Sequence, residues 1–216
     1  AEGEIHGQNG GYPIAIALSN DAVKLAVSMV NINEGSVKST IAFYNYGTVG
    51  QNEIDHCVGV NNYDDMVIPE MEFTSNDRMV AFGDTKAVIF EGVQKPQAIA
   101  EIPMDEKTKS IFYNEHYIGI VIGNEDEAVT NHLAVYDENG KLVMEKDFGL
   151  DYSSIEFLTN NEICIRNANV CDIYTVHGVY KFHHEFEEEL FEIIPGKLKL
   201  NYTLVLKDTT QRIRLK

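Results

Sequence analysis

The densest set of potential metal ligands in the sequence is His183-His184 with Glu185, Glu187, Glu188 and Glu189. Imidazole and carboxylate together suit a transition metal. Adjacent residues of a strand point to opposite faces, so in an extended segment the two histidines diverge, and a solvated acidic edge accounts for the same residues. No HExxH spacing occurs. A second set is the acidic loop Gly123-Asn124-Glu125-Asp126-Glu127, with Asp84 and Asn167 in comparable turns. Asp84, Asn124, Glu125 and Asp126 form the candidate oxygen-rich site, and Ca²⁺ is the one cofactor they suggest. EF-hand spacing is absent, and an ordinary acidic surface loop explains the same residues.

Three cysteines, Cys57, Cys164 and Cys171, give neither a CxxC nor a disulfide framework. One pairing follows from turn geometry. If Asn167-Ala168 is a two-residue hairpin turn, Cys164 lies directly opposite Cys171, at a Cβ separation close to disulfide range. The alternative is a pair of buried free thiols packed as small hydrophobes. Cys57 reads as a packed residue.

Other catalytic signatures are missing. The sequence has no GxSxG, no P-loop and no glycine-rich dinucleotide fingerprint. Its 34 acidic and 17 basic residues leave a formal charge of −17. That balance argues against nucleic acid, which is bound through Lys and Arg replacing counterions, and against anionic lipid. No apolar stretch approaches the length of a membrane span. The opening AEGEIHGQNGG lacks Met and an apolar leader, as expected of a processed chain or of a piece of a longer polypeptide.

The elements that would position these residues are strands. Short β-branched and aromatic segments recur between polar turns roughly every ten positions. In HLAVYDENG (132–140), Leu133 and Val135 fall on one face and Ala134 and Tyr136 on the other. The segment 183–194 has helical spacing at Phe186, Leu190, Phe191 and Ile194, but the strand repeat runs through it. Anchors before the polar turns (Phe73, Phe112, Phe157, Tyr202) are spaced 39, 45 and 45 residues apart, while Leu18 precedes Phe73 by 55. The extra length is assigned to NINEGSVK or CVGVNNYDD. Four strands in about 40–45 residues is the unit of a propeller blade.

The expected fold is therefore all-β: a β-propeller of four-stranded antiparallel blades forming one domain over 1–216. The blades are predicted at about 22–76, 77–114, 115–160 and 161–200. An outer strand at 11–19 and inner strands at 202–216 belong to a shared or partial terminal blade. Either a five-bladed ring or a fragment of a larger ring satisfies this pattern.

PIAIALSNDAVKLAVSMV resembles the SPDG-x-x-L-A turn-and-strand unit of TolB-type and WD-like propellers, with Asn20 and Ala22 where that pattern has Pro and Gly. SNDRMVAF (75–82) is a weaker copy. GYPIAIALS, IAFYNYG, VIPEMEF, MVAFGD and IRLK make the chain similar to the C-terminal part of a family of uncharacterised propeller proteins of Gram-positive bacteria. The resemblance implies an extracytoplasmic propeller tethered by an N-terminal membrane segment. It carries no catalytic residue. The functional expectation is a non-catalytic interaction or sensor module binding a protein or an envelope polysaccharide, with oligomerisation expected if blades are missing. The alternative is a carbohydrate-active enzyme with carboxylates at the propeller axis.

Overall fold

The computed structural model describes residues 10–33, 35–45, 57–92, 95–123, 131–149 and 151–215, which form nineteen strands and no α-helix. Two compact units divide the chain, Ala1–Glu106 and Lys107–Lys216. Every sheet is a meander of antiparallel hairpins.

In the first unit, sheet 1 is β1 (Tyr12–Leu18), β2 (Lys24–Asn33), β3 (Ser36–Asn45) and β4 (Cys57–Asp64). Sheet 2 is β5 (Glu70–Ser75), β6 (Arg78–Phe82), β7 (Lys86–Glu91) and β8 (Gln97–Pro103). Period-2 alternation sends Ala26, Ile41 and Phe43 of sheet 1 into one core with Phe73, Met79, Val88 and Phe90 of sheet 2. Phe43 meets Phe90 edge to face, ring centroids 5.3 Å apart. Two buried serines face the chain that links the sheets. Ser28 donates to the Ile68 carbonyl at 2.8 Å and Ser39 to that of Met66 at 2.6 Å. Each satisfies a carbonyl that no ladder reaches.

In the second unit, sheet 3 is β9 (Thr108–Tyr113), β10 (Tyr117–Gly123), β11 (Asn131–Asp137) and β12 (Leu142–Phe148). Sheet 4 is β13 (Ser154–Phe157), β14 (Ile163–Asn167), β15 (Val170–Tyr174) and β16 (Tyr180–Glu185). Sheet 5 has three strands among the described residues, β17 (Leu190–Pro195), β18 (Asn201–Leu206) and β19 (Thr210–Arg214). Sheet 4 buries both faces. Ile163, Ile165 and Tyr174 pack with Val121, Leu133 and Met144 of sheet 3, whereas Cys164, Cys171 and Ile173 pack with Ile193, Tyr202 and Leu204 of sheet 5. Burial on both sides is why ICI reads as a continuous apolar run instead of an alternation.

Four-stranded antiparallel sheets stacked face to face are the expected blades, but their boundaries are shifted by one strand. In the sequence pattern the segments at 68–76, 109–114 and 153–160 close a blade, and the segment at 11–19 stands outside one. In the structure all four open sheets, as β5, β9, β13 and β1. The polar turns after them are hairpin turns within a sheet, not links between blades. Sheet 5 likewise takes β17 from the predicted fourth blade and joins it to the two terminal strands. Tyr202 consequently belongs to a second strand and is not equivalent to Phe157, whose counterpart is Pro195, 38 positions on. A repeat period is insensitive to where the unit is cut, because strands recur at the same interval whichever of them is counted as the first. The long first repeat is explained in part by NINEGSVK: β2 and β3 are ten residues each, against five and six for β6 and β7. The segment 183–194 is strand at both ends.

Candidate functional site

The sheet-opening hairpin turns bond to their own backbone and also stitch neighbouring sheets together. Asp21 accepts from the Val23 amide and from the Ser19 hydroxyl, at 3.1 and 2.6 Å. The Ser19 bond chiefly holds the Asp21 carboxyl below the usual range. From the facing turn, Asn76 Oδ1 accepts the Asp21 amide at 3.0 Å. Lys24, only 3% exposed, carries its ammonium to the Asn76 carbonyl and, at 3.0 Å, to Asp77. In the second unit Asn114 donates to Asn161 at 2.8 Å across sheets 3 and 4. Beside that bond lies a cleft of about 330 Å³ lined by Asn114, His116, Phe157 and Thr159.

Between sheets 4 and 5 the tie runs through charged side chains of sheet 4. Glu162 accepts from Tyr202 and from Lys181. Burial pushes the Lys181 ammonium down, but its bonds to Glu162 and Tyr202 outweigh this and hold it above its ordinary value. Burial, then the bond to Glu162, pushes the Tyr202 phenol up. Arg166 makes a second clamp: it donates to Glu156 at 2.7 Å and Ser154 at 3.2 Å on β13, and to the Phe191 carbonyl on β17. Glu162 and Asp172 are the buried carboxylates among the described residues. Asp172 is held by His183 Nδ1 at 2.7 Å. Both are thus engaged with a base.

A concavity of about 600 Å³ lies on sheet 5. Its shape follows from β18, where Tyr202, Leu204 and Leu206 are buried and Asn201, Thr203 and Val205 are half-buried on the opposite face. The register places Ile194, Thr203 and Arg212 in one row and Asn201 beside Arg214 in the next. The turn bearing Lys197 and Leu198 forms one wall. Leu200 closes that turn in the left-handed region at φ 67°. Lys197, Arg212 and Arg214 are all exposed, and among the described residues none of them makes an ion pair or a side-chain hydrogen bond. In a chain with twice as many acids as bases, that is a groove with three cations that have no acidic partner among the described residues.

The residues expected to carry chemistry are placed differently. Asp84 is exposed and tied to the linker, its carboxylate accepting the Val67 amide at 3.1 Å. Asn124, Glu125 and Asp126 lie outside the described residues. No group of three or more potential metal ligands occurs among the described residues. His183 and His184 diverge as expected for a strand: His183 faces Asp172, and His184 packs between Phe182 and Phe186. Cys164 and Cys171 are free thiols with Sγ atoms 3.7 Å apart, and the thiol contact together with burial pushes Cys171 up. The hairpin turn is Ala168-Asn169, one residue later than expected, so Cys164 faces Ile173 and Cys171 faces Arg166. A turn displaced by one residue moves each partner by two positions. The cysteines therefore stay on one face, as diagonal neighbours and not as a direct pair. Asn169 anchors the turn by donating to the Phe186 carbonyl at 2.7 Å.

The motifs singled out in the sequence do not include the cationic groove. Its signal is nonetheless present: residues 197–214 hold Lys197, Lys199, Lys207, Arg212 and Arg214 against Asp208 alone, a local balance hidden by the acidic total.

No curated protein matches this sequence. Among solved structures the chain is similar to the β-propeller domain of the Trilobed protease from Pyrococcus furiosus, with a TM-score of 0.53 and 10% identity over 94% of this chain and 70% of that one. It is also similar to the AfRom2 CNH domain, with a TM-score of 0.50 and 10% identity over 96% and 69%. The Pan2 WD40 domain of Neurospora crassa aligns at 6% identity and a TM-score of 0.49 over 93% of this chain, which spans 61% of that domain's length. At such identities the likeness is one of fold, that of a β-propeller. A family described as of unknown function, DUF5711, matches residues 1–215, and the chain belongs to that family.

Proposed function

We propose that this chain is a non-catalytic interaction module, acting outside the cytoplasm and binding a protein or envelope ligand through the open groove of sheet 5. The observation that carries this reading is a recess of about 600 Å³ on an exposed sheet face, rimmed by exposed aliphatic side chains and by cations without an acidic partner among the described residues. Such a rim is suited to a complementary surface. The buried polar groups Lys24, Glu162 and Asp172, by contrast, are engaged with partners of the fold itself. The extracytoplasmic placement rests on the sequence resemblance. Among the described residues no helix is long and apolar enough to cross a membrane.

The test is binding of the purified chain to a cell-envelope fraction, beside a variant whose groove is filled by Thr203→Trp. The half-buried Thr203 sits mid-face in the groove, so the tryptophan is expected to weaken binding about tenfold, the loss of roughly 1.4 kcal/mol. Undiminished binding by the variant would remove the groove as the binding surface. Hydrolysis of envelope glycan by the chain would make it an enzyme instead.

A further inference from the structure

The groove's chemistry narrows the class of partner, given that the groove is the binding surface proposed for this chain. Arg212 and Arg214 lie two residues apart on β19 and project to the same face, so their side chains repeat at roughly 6.7 Å along the strand. An extended peptide repeats its own side chains at that interval. Carboxylates at alternate positions of such a peptide meet both guanidiniums in register, and each guanidinium offers a carboxylate two parallel donors. Lys197 supplies a third cation from the turn. The remaining exposed groups are aliphatic: Ile194 is 41% exposed and Leu198 74%. Asn201 and Thr203 add polar contacts on the floor.

We propose that sheet 5 binds an extended acidic polypeptide segment, with Asp or Glu alternating with aliphatic residues. Charge complementarity selects its acids, and Ile194 and Leu198 take its apolar side chains. An acidic glycan fits less well, because sugar rings favour aromatic platforms. Tyr202, the aromatic residue of the groove's lining, is 2% exposed and turns its ring away into the core shared with sheet 4. One carboxylate, Glu192 on β17, lies on the groove side of the sheet, two positions from Ile194 and opposite Val205. It sets the end beyond which a further acid on the peptide is repelled.

The experiment is calorimetric titration of the 216-residue chain with three probes at low salt. These are a short peptide alternating Glu with Val and Thr, a peptide of the same composition with its acids clustered, and polygalacturonate. The alternating peptide is expected to bind at least tenfold more tightly than the clustered one, and to weaken as salt is raised. Arg212→Glu with Arg214→Glu should abolish that binding and confer affinity for the matching peptide built on Lys, a gain that a misfolded variant would not show. Equal binding of the two acidic peptides, or no binding of either, overturns the proposal. Polygalacturonate binding that the double variant abolishes, with no peptide binding, also overturns it while leaving the groove as an interaction surface.

Discussion

Tyr202 on sheet 5 donates a 2.5 Å hydrogen bond from its phenol to Oε2 of Glu162 on sheet 4, and Lys181 bonds the other carboxylate oxygen. One buried carboxylate is therefore shared by a base from its own sheet and a phenol from the next. Removing the phenol leaves Glu162 short of a donor in a site shielded from solvent. Tyr202→Phe is expected to cost about 2 kcal/mol, the scale of a hydrogen bond to a charged group. Urea denaturation would show this as a lower midpoint at unchanged slope. Lys181→Met should cost more, because it strands a buried charge.

Ala22 stands in the turn between β1 and β2 at φ 56°, in the left-handed region. The propeller turn pattern it resembles has Gly there, and Gly meets no Cβ clash in that conformation. Ala22→Gly should therefore raise stability by about 0.5–1 kcal/mol, although glycine loosens the unfolded chain. A thermal melt showing no rise would indicate that the turn carries no strain.

Gly119 faces Phe112 across β10 and β9, and a Cβ at that position would lie 2.2 Å from the Phe112 ring. The ring lies over the glycine and reaches Phe157 at 4.6 Å. Gly119→Ala would displace the ring from the core between sheets 3 and 4, at about 1–3 kcal/mol. Phe112→Leu in the same chain should recover part of that loss, which a double-mutant cycle measures.

Burial, and secondarily the charge of Glu101, pushes the Tyr63 phenol up to about 12. An unfolded tyrosine ionises near pH ~10. The folded state thus holds its proton more tightly, and the contribution to stability is complete below about pH 10 and is lost as pH rises through about 12. Stability should fall over that interval, and Tyr63→Phe should flatten the fall when denaturation midpoints are compared across alkaline pH.

The Cys164 and Cys171 thiols are buried and free, with Cys171 held protonated. Intact mass should be unchanged by reductant. Alkylation of both should proceed only in denaturant, since both thiols are buried in the folded state.

Strand identity, the period of the repeat and the divergence of His183 from His184 are legible along the chain, because a strand's side chains alternate whatever it packs against. The proximity of Cys164 and Cys171 is legible for the same reason, surviving a turn displaced by one residue. Which strands share a sheet is decided only by hydrogen bonding across the fold: β5 reads equally well as the end of one repeat or the start of the next. Lys24, Glu162 and Arg166 look like ordinary surface charges in sequence, and tertiary packing alone brings their partners from other sheets. The groove of sheet 5 is of the same kind. Its cations are close in sequence, but that they share one face and have no acidic partner among the described residues is decided by the register of β17, β18 and β19.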